Sequence, residues 1–278
     1  MTSLQEMHFL SIWRKDFRDV VRDMGDLRKE ENVRKLVDAM FQKHLHKGMQ
    51  QGIWFWRQIQ DLRDQGIKES LYSRILAAGE RNPGEIFRIL IEEATRLRPS
   101  KRLVVKFPVY PTYIRRLADW YPEAPIIHIS RDPRALAASK TNDPGGTAKL
   151  RKKFPLLKAL LPLAGKYFAV FQYILTSYVH SRYKNLRNYR HYSYEELLSH
   201  PESVIRDLCE FCDLQYEESM LDPSSGQASS ITGERTSGLD AARIDGWKSV
   251  LSSNEAGFIR VITKGSMYRF GCQARETR

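Results

Sequence analysis

Arg131 and Ser139, eight residues apart with Ser130, Asp132, Pro133 and Arg134 beside the first, are the side chains whose types and spacing suit chemistry. A guanidinium presents a planar fork of donors that matches an oxyanion, and a hydroxyl adds one more donor, so the pair suits a phosphate group. The residues before it, Pro125-Ile126-Ile127-His128-Ile129, make a short β-branched apolar run of the kind that forms a fully buried parallel strand. Those after it open a helix, because Asp132 is a good N-cap, Pro133 suits the first turn, and Ala135, Leu136, Ala137 and Ala138 are strong helix formers. A strand that delivers the chain to a helix N-terminus exposes unpaired N–H groups at the positive end of the helix dipole. That is an anion site with Arg131 at its junction. Ser139 lies about two helical turns on and projects from the same general face as the helix start. Taken alone, an Arg-Asp-Pro at a strand end is commonly no more than a capped junction.

The elements that must position these residues follow from the pattern on either side. Phe9, Leu10, Ile12, Trp13, Phe17, Val20 and Val21 alternate with charges, which predicts an amphipathic helix near the N-terminus. A second helical region starts at Trp54-Phe55-Trp56, a loop spans 79–84, and a helix over 85–97 precedes a strand at Leu103. Beyond the Arg131 helix, residues 142–147 read as a loop suited to a lid, and Tyr189 to Ser193 as a strand leading into a helix at Glu195. Residues 222–238 are polar and Gly/Ser-rich, which predicts a mobile segment. A chain of 278 residues is long enough for one α/β domain, and a single domain over 1–278 is expected.

The net charge is +12, of which +11 falls between Arg131 and Arg190, where 13 Lys or Arg meet only Asp132 and Asp143. Such a field concentrates anionic partners, and the same run also serves as a plain solvated face. Cys209-x-x-Cys212 has no second pair or His cluster to complete a metal site, and no metal is expected. Its setting, Val204-Ile205-x-x-Leu208-x-x-Phe211, has helical spacing, so both cysteines are expected to be core thiols. No signal peptide is expected from the opening residues. The most apolar stretch, 154–179, is interrupted by Lys158, Pro162, Gly165, Lys166 and Gln172 and lacks the clean run of about 20 apolar residues that a bilayer needs. A buried helix is expected there, and no membrane span.

Arg131-Asp132-Pro133-Arg134-Ala135 with Ser139 at its spacing resembles the 3′-phosphate-binding motif of sulfotransferases that use 3′-phosphoadenosine-5′-phosphosulfate (PAPS). Lys106-Phe107-Pro108 and Tyr121-Pro122-Glu123-Ala124 resemble the Lys-x-Pro strand end and helix that precede it in that family. Tyr194-Glu195-Glu196-Leu197, His200-Pro201-Glu202 and the 208–214 segment resemble the series that follows, and Gly246-Trp247-Lys248 and Arg269-Phe270-Gly271 its C-terminal end. The match spans roughly residues 85–272 in the right order. The resemblance implies a three-layer α/β domain with a parallel sheet flanked by helices, of P-loop-kinase-like architecture. It implies PAPS as co-substrate, with Arg131 and Ser139 on its 3′-phosphate, Trp247 and Lys248 in a cofactor-flanking loop, and Arg243 as a further candidate for the 3′-phosphate.

Gln5-Glu6-Met7-His8-Phe9 resembles the segment that follows the phosphate loop in carbohydrate sulfotransferases, where the glutamate is the base. Glu6 is therefore the implied catalytic base, with His8 as substitute and Lys106 as the cation beside the transferred group. Each also has an ordinary reading: Glu6 as a helix-cap carboxylate, Lys106 as a solvated lysine, Trp247 as core. A member of this family should begin with a strand and a Gly-rich loop that cradles the 5′-phosphosulfate, but only five residues precede Glu6. The sequence thus reads as part of a longer protein or as a divergent relative, with the first strand of the sheet in question. Cytoplasm suits the chain as given, and a Golgi or membrane location would suit a form carrying a further N-terminal segment. Three functions from different classes follow: a sulfotransferase acting on a hydroxyl or amine of a carbohydrate, lipid or small molecule; an inactive relative that still binds the nucleotide; and a basic polyanion binder. The last ranks lowest, since no nucleic-acid motif accompanies the basic run.

Overall fold

The computed structural model describes residues 2–4, 17–41, 67–96, 103–105, 113–141, 161–222 and 239–271. It divides into two compact units, Met1–Trp120 and Tyr121–Arg278. Glu6, His8 and Lys106, the Trp54 region, the 142–147 loop and residues 223–238 lie outside the described residues.

In the first unit, strand β1 (Thr2–Leu4) pairs in parallel with β2 (Leu103–Val105), Thr2 opposite Leu103 and Leu4 opposite Val105. The sequence left the first strand in question; a three-residue strand does stand ahead of Glu6 and takes part in the parallel pairing. Helices α1 (Phe17–Asp23), α2 (Glu30–Phe41), α3 (Ile67–Ala77), α4 (Pro83–Arg96) and α5 (Ile114–Trp120) belong to the same unit. Their apolar residues recur at three- and four-residue spacing, so Val33, Leu36 and Met40 of α2 meet Ile67, Leu71 and Ile75 of α3 in the core. Pro83 opens α4, and Asn82 caps it by accepting the Glu85 N–H at 3.0 Å. The core stripe of α4 ends in Glu93, which is fully buried. Burial alone would raise its pKa, but a 2.8 Å ion pair with Arg74 and the charge of Arg96 hold the carboxyl below its ordinary value.

In the second unit, β3 (Ile126–Ser130) and β4 (Tyr189–Ser193) run parallel, with His128 opposite His191 and Ser130 opposite Ser193. Around them stand α6 (Pro133–Thr141), α7 (Leu161–Tyr183), α8 (Tyr194–Ser199), α9 (Pro201–Phe211) and α10 (Ser253–Arg269), with short 3-10 turns at Ala241–Ile244 and Gly246–Ser249. Three alanines of α6, Ala135, Ala137 and Ala138, let α7 approach closely, and Val170, Trp247, Leu251, Ala256 and Ile259 fill the rest of that core. Ser252 and Glu255 form a capping box at the start of α10. Cys209 is buried with its sulfur 3.6 Å from that of Met220, as expected of a core thiol, and Cys212 is partly buried.

Two expectations are corrected here. The strand expected to be fully buried is buried on one face only: His128 and Ser130 point inward while Ile127 and Ile129 are 37% and 55% exposed. The helix expected to be buried, α7, keeps an exposed apolar side. The inward face of β3 and β4 is polar because its groups satisfy one another. The Tyr189 hydroxyl lies 2.7 Å from His128 Nδ1 and 2.9 Å from His180 Nδ1, so it donates to one ring and accepts from the other. His191 Nε2 bonds the Ser130 hydroxyl at 2.8 Å, and the Phe270 ring stacks on His191 at 4.8 Å.

This buried cluster favours neutral imidazoles over imidazolium. Burial first, then the charge of the neighbouring histidine, lowers the pKa of His128 from 6.5 to about 4. Burial and both neighbours lower that of His191 to about 3, while burial and Lys184 lower that of His180. Because the folded values lie below the unfolded one, the stability is complete above pH 6.5 and is lost as pH falls through the window down to about 4 and 3. His128 alone accounts for roughly 3 kcal/mol of loss by about pH 4. Urea unfolding is therefore expected to show stability level near neutral pH and falling steeply between pH 6.5 and 4. A flat profile through that window would show that the cluster accepts protons at no cost.

Candidate functional site

The parallel register ends β3 and β4 side by side, and each strand hands its chain directly to a helix, α6 after Ser130 and α8 after Ser193. In open α/β sheets, ligands bind at this edge, outside the carboxyl ends of the strands. Asp132 caps α6 as its sequence predicts: its carboxylate accepts the Arg134 N–H at 2.7 Å and its carbonyl the Leu136 N–H at 3.0 Å. The Asp132 N–H in turn donates to Glu195 Oε1 at 2.8 Å, and Glu195 Oε2 accepts the Ser193 hydroxyl at 2.9 Å. Glu195 thereby ties the start of α6 to the end of β4.

Two arginines stand at this junction, in opposite states. Arg134 is buried and committed: its Nη2 lies 2.6 Å from Asp132 Oδ2, its Nε 3.0 Å from Oδ1, and its guanidinium sits 4.1 Å above the Trp247 ring. Arg131 has no such carboxylate. Its guanidinium lies over the Tyr194 ring at 4.8 Å, and its Nε is buried with no hydrogen-bond partner. Among the described residues no acceptor reaches it. A buried donor without an acceptor costs about 1–3 kcal/mol, more for a charged group, so Arg131 is held in a state that an incoming oxyanion would relieve.

The remaining expected residues fall around this junction to different degrees. Ser139 is exposed on α6, and its hydroxyl donates to the Leu136 carbonyl at 2.8 Å, a bond that solvent or a ligand can replace. Trp247 is 7% exposed within the alanine-rich core of α6 and α7, where it supports Arg134. Lys248 is exposed and pairs with Asp245 at 3.1 Å, while Arg243 is exposed on the 3-10 turn that packs against α8. The turn carrying Trp247 packs against α6, so the segment from Arg243 to Lys248 borders both helices of the junction. Glu6, His8 and Lys106 lie outside the described residues. No group of His, Cys, Asp and Glu able to hold a metal occurs among the described residues.

Sequence reasoning placed Tyr194 and Glu195 within a family-like motif and passed over Arg134 as a separate actor. The signal for Arg134 was its position two residues after an N-cap aspartate, where a side chain can fold back onto the cap. The pairing of Tyr194 with Arg131 had no local signal, because it depends on the register between strands 63 residues apart in sequence.

Comparison with known proteins bears on this arrangement. The profile described as "Sulfotransferase family" matches residues 18–218, a span that includes Arg131, Ser139, Tyr194 and Glu195. Among solved structures, the sulfotransferase domain from the Synechococcus PCC 7002 olefin synthase is similar over 93% of this chain and 90% of its own, at 18% identity and a TM-score of 0.52. The sulfotransferase domain from the curacin biosynthetic pathway is similar over 84% and 83%, at 16% identity and a TM-score of 0.49. No curated protein sequence matches. The first likeness concerns fold, and it agrees with a helix-rich α/β domain with parallel strand pairing. The span of the family match, more than two thirds of the chain and carrying the strand, arginine and capped helix described above, makes this chain a member of the sulfotransferase family.

Proposed function

We propose that this chain transfers the sulfuryl group of PAPS to a hydroxyl or amine acceptor, with the nucleotide 3′-phosphate held at the start of α6. The observation that carries the proposal is Arg131: a guanidinium at a helix N-terminus with a buried donor and no acceptor, three residues from an arginine that is fully paired. Ser139 would join it after releasing the Leu136 carbonyl, and Arg243 and Lys248 would add positive charge from the neighbouring turns. Trp247 would act behind them, fixing Arg134 and so the cap of α6. In the transfer, the acceptor oxygen or nitrogen attacks sulfur in line while the bond from sulfur to the phosphate oxygen breaks. The acceptor proton goes to a base, for which Glu6 is the candidate and His8 the substitute. The charge that develops on the leaving phosphate is met by Lys106. Carbohydrate, lipid and small-molecule acceptors all fit this chemistry.

The nucleotide half of the proposal is tested by thermal unfolding with adenosine 3′,5′-bisphosphate and, separately, adenosine 5′-monophosphate. The bisphosphate at about 100 times its dissociation constant should stabilise the chain by roughly 2.7 kcal/mol, and the monophosphate far less. Arg131→Met should abolish the difference. Equal effects of the two nucleotides would remove the 3′-phosphate assignment.

The same unfolding curves without ligand separate the two arginines. Arg134→Met leaves Asp132 unpaired in a nearly buried setting and should cost about 3 kcal/mol. Arg131→Met removes a ring contact together with an unsatisfied buried donor, two opposing effects, and should leave stability within about 1 kcal/mol of the parent or raise it. Comparable losses would make Arg131 a structural residue.

The catalytic half is tested by transfer of labelled sulfate from PAPS to a panel of hydroxyl and amine acceptors. Glu6→Gln should lower the rate by about 10²–10⁴-fold if Glu6 is the base. Bisphosphate binding without transfer to any acceptor would leave a nucleotide-binding relative in place of an enzyme.

A further inference from the structure

Helices α7 and α10 pack side by side in the same direction, Lys166 pairing with Glu255 near their starts and the Arg269 guanidinium lying 3.8 Å over the Tyr178 ring near their ends. The face they share toward solvent is apolar. Phe171 and Leu175 on α7, and Phe258, Val261 and Ile262 on α10, are 37–73% exposed, and the Tyr167 and Phe258 rings meet at 6.0 Å to join the two halves of the patch. Surface helices normally turn charged residues outward, and an apolar outer stripe sustained over three turns marks a docking surface.

The charges around this patch decide its partner. Helix α7 contains no Asp or Glu at all, and the one acid of α10, Glu255, is held by Lys166 at 2.7 Å. Among the described residues the exposed charges on and beside the face are basic: Lys264 three residues past Val261 at the edge of the α10 stripe, Arg182 one turn past Tyr178 on the α7 stripe, and Lys184 and Arg187 just beyond. An apolar, aromatic surface with a purely cationic rim fits an anionic lipid surface, in which aromatic rings enter the interface and long basic side chains reach the headgroups. A second copy of the chain fits poorly, because a two-fold contact through this face would bring the basic borders of both copies together with no acid on either helix free to meet them. No helix among the described residues is long and apolar enough to cross a membrane, so the contact would be peripheral.

We infer that the α7–α10 face docks this chain on anionic bilayers. The inference rests on this surface alone and is independent of the nucleotide site. It is tested by flotation of the full chain with vesicles of phosphatidylcholine, with and without phosphatidylglycerol. Binding is expected to the anionic vesicles, to weaken with salt, and to fall at least about ten-fold in both Phe171→Glu/Val261→Glu and Arg182→Ser/Lys264→Ser. All four positions are exposed, so circular dichroism and the unfolding midpoint should stay at the parent values. Failure of the folded parent to float with anionic vesicles, or undiminished binding by either double variant, would overturn the inference. So would a dimer in sedimentation that Phe171→Glu/Val261→Glu dissociates, since that outcome assigns the face to a second copy.

Discussion

The junction at Arg131 depends on one constraint, the parallel pairing that ends β3 and β4 at the same level. With Ser130 opposite Ser193, the two strands hand over to their helices side by side, and the backbone N–H of Asp132 comes within reach of the Glu195 carboxylate. A shift of one residue in this register would turn the inward set of one strand outward relative to the other, parting His128 from Tyr189 and His191 from Ser130. The histidine and tyrosine hydrogen bonds on the inner face therefore do more than satisfy themselves. They make the correct register the only one in which these polar groups have partners, and through it they place Arg131 over Tyr194.

Once the register is set, the difference between the two arginines follows from electrostatics. Arg134 lies where it can close a ring with its own N-cap, and the resulting pair is stable because both ions keep several hydrogen bonds and the guanidinium rests on Trp247. Since Asp132 is consumed by this pairing and Glu195 by the Asp132 N–H and Ser193, no carboxylate at the junction is left for Arg131. The local acids stabilise the scaffold, and the local positive charge stays available. An arrangement in which Asp132 paired with Arg131 would be as easy to encode and would bind no anion.

How much of this could be read beforehand depends on the range of the interaction. The capped start of α6, the strands at Leu103, Ile126 and Tyr189, and the helix at Glu195 were legible because caps and β-branched runs act between near neighbours in sequence. The family membership was legible for a similar reason: several short motifs stood in the right order. Tyr194 under Arg131 was hidden because nothing in either segment encodes the distance to the other. The burial of β3 was misjudged because its apolar residues face outward and its polar ones inward, a reversal that makes sense only when Tyr189, His180 and His191 are present to meet them. Glu6, His8 and Lys106 rest on the motif alone.

Helix α7 shows the same reversal from the other side. Its inner face carries Ser177 and His180, both buried, while its outer face carries Phe171, Leu175 and Tyr178. Burying polar groups inside and showing aromatic ones outside costs stability on both counts unless each face has a partner. The inner face has one: His180 bonds Tyr189, and the Ser177 hydroxyl donates to the Ile174 carbonyl at 2.7 Å. A folded chain gains little from the outer arrangement, since a charged residue at position 171 would be tolerated at so exposed a site. The apolar stripe is thus a feature that folding does not require. Its border, basic among the described residues, identifies what it is shaped to meet.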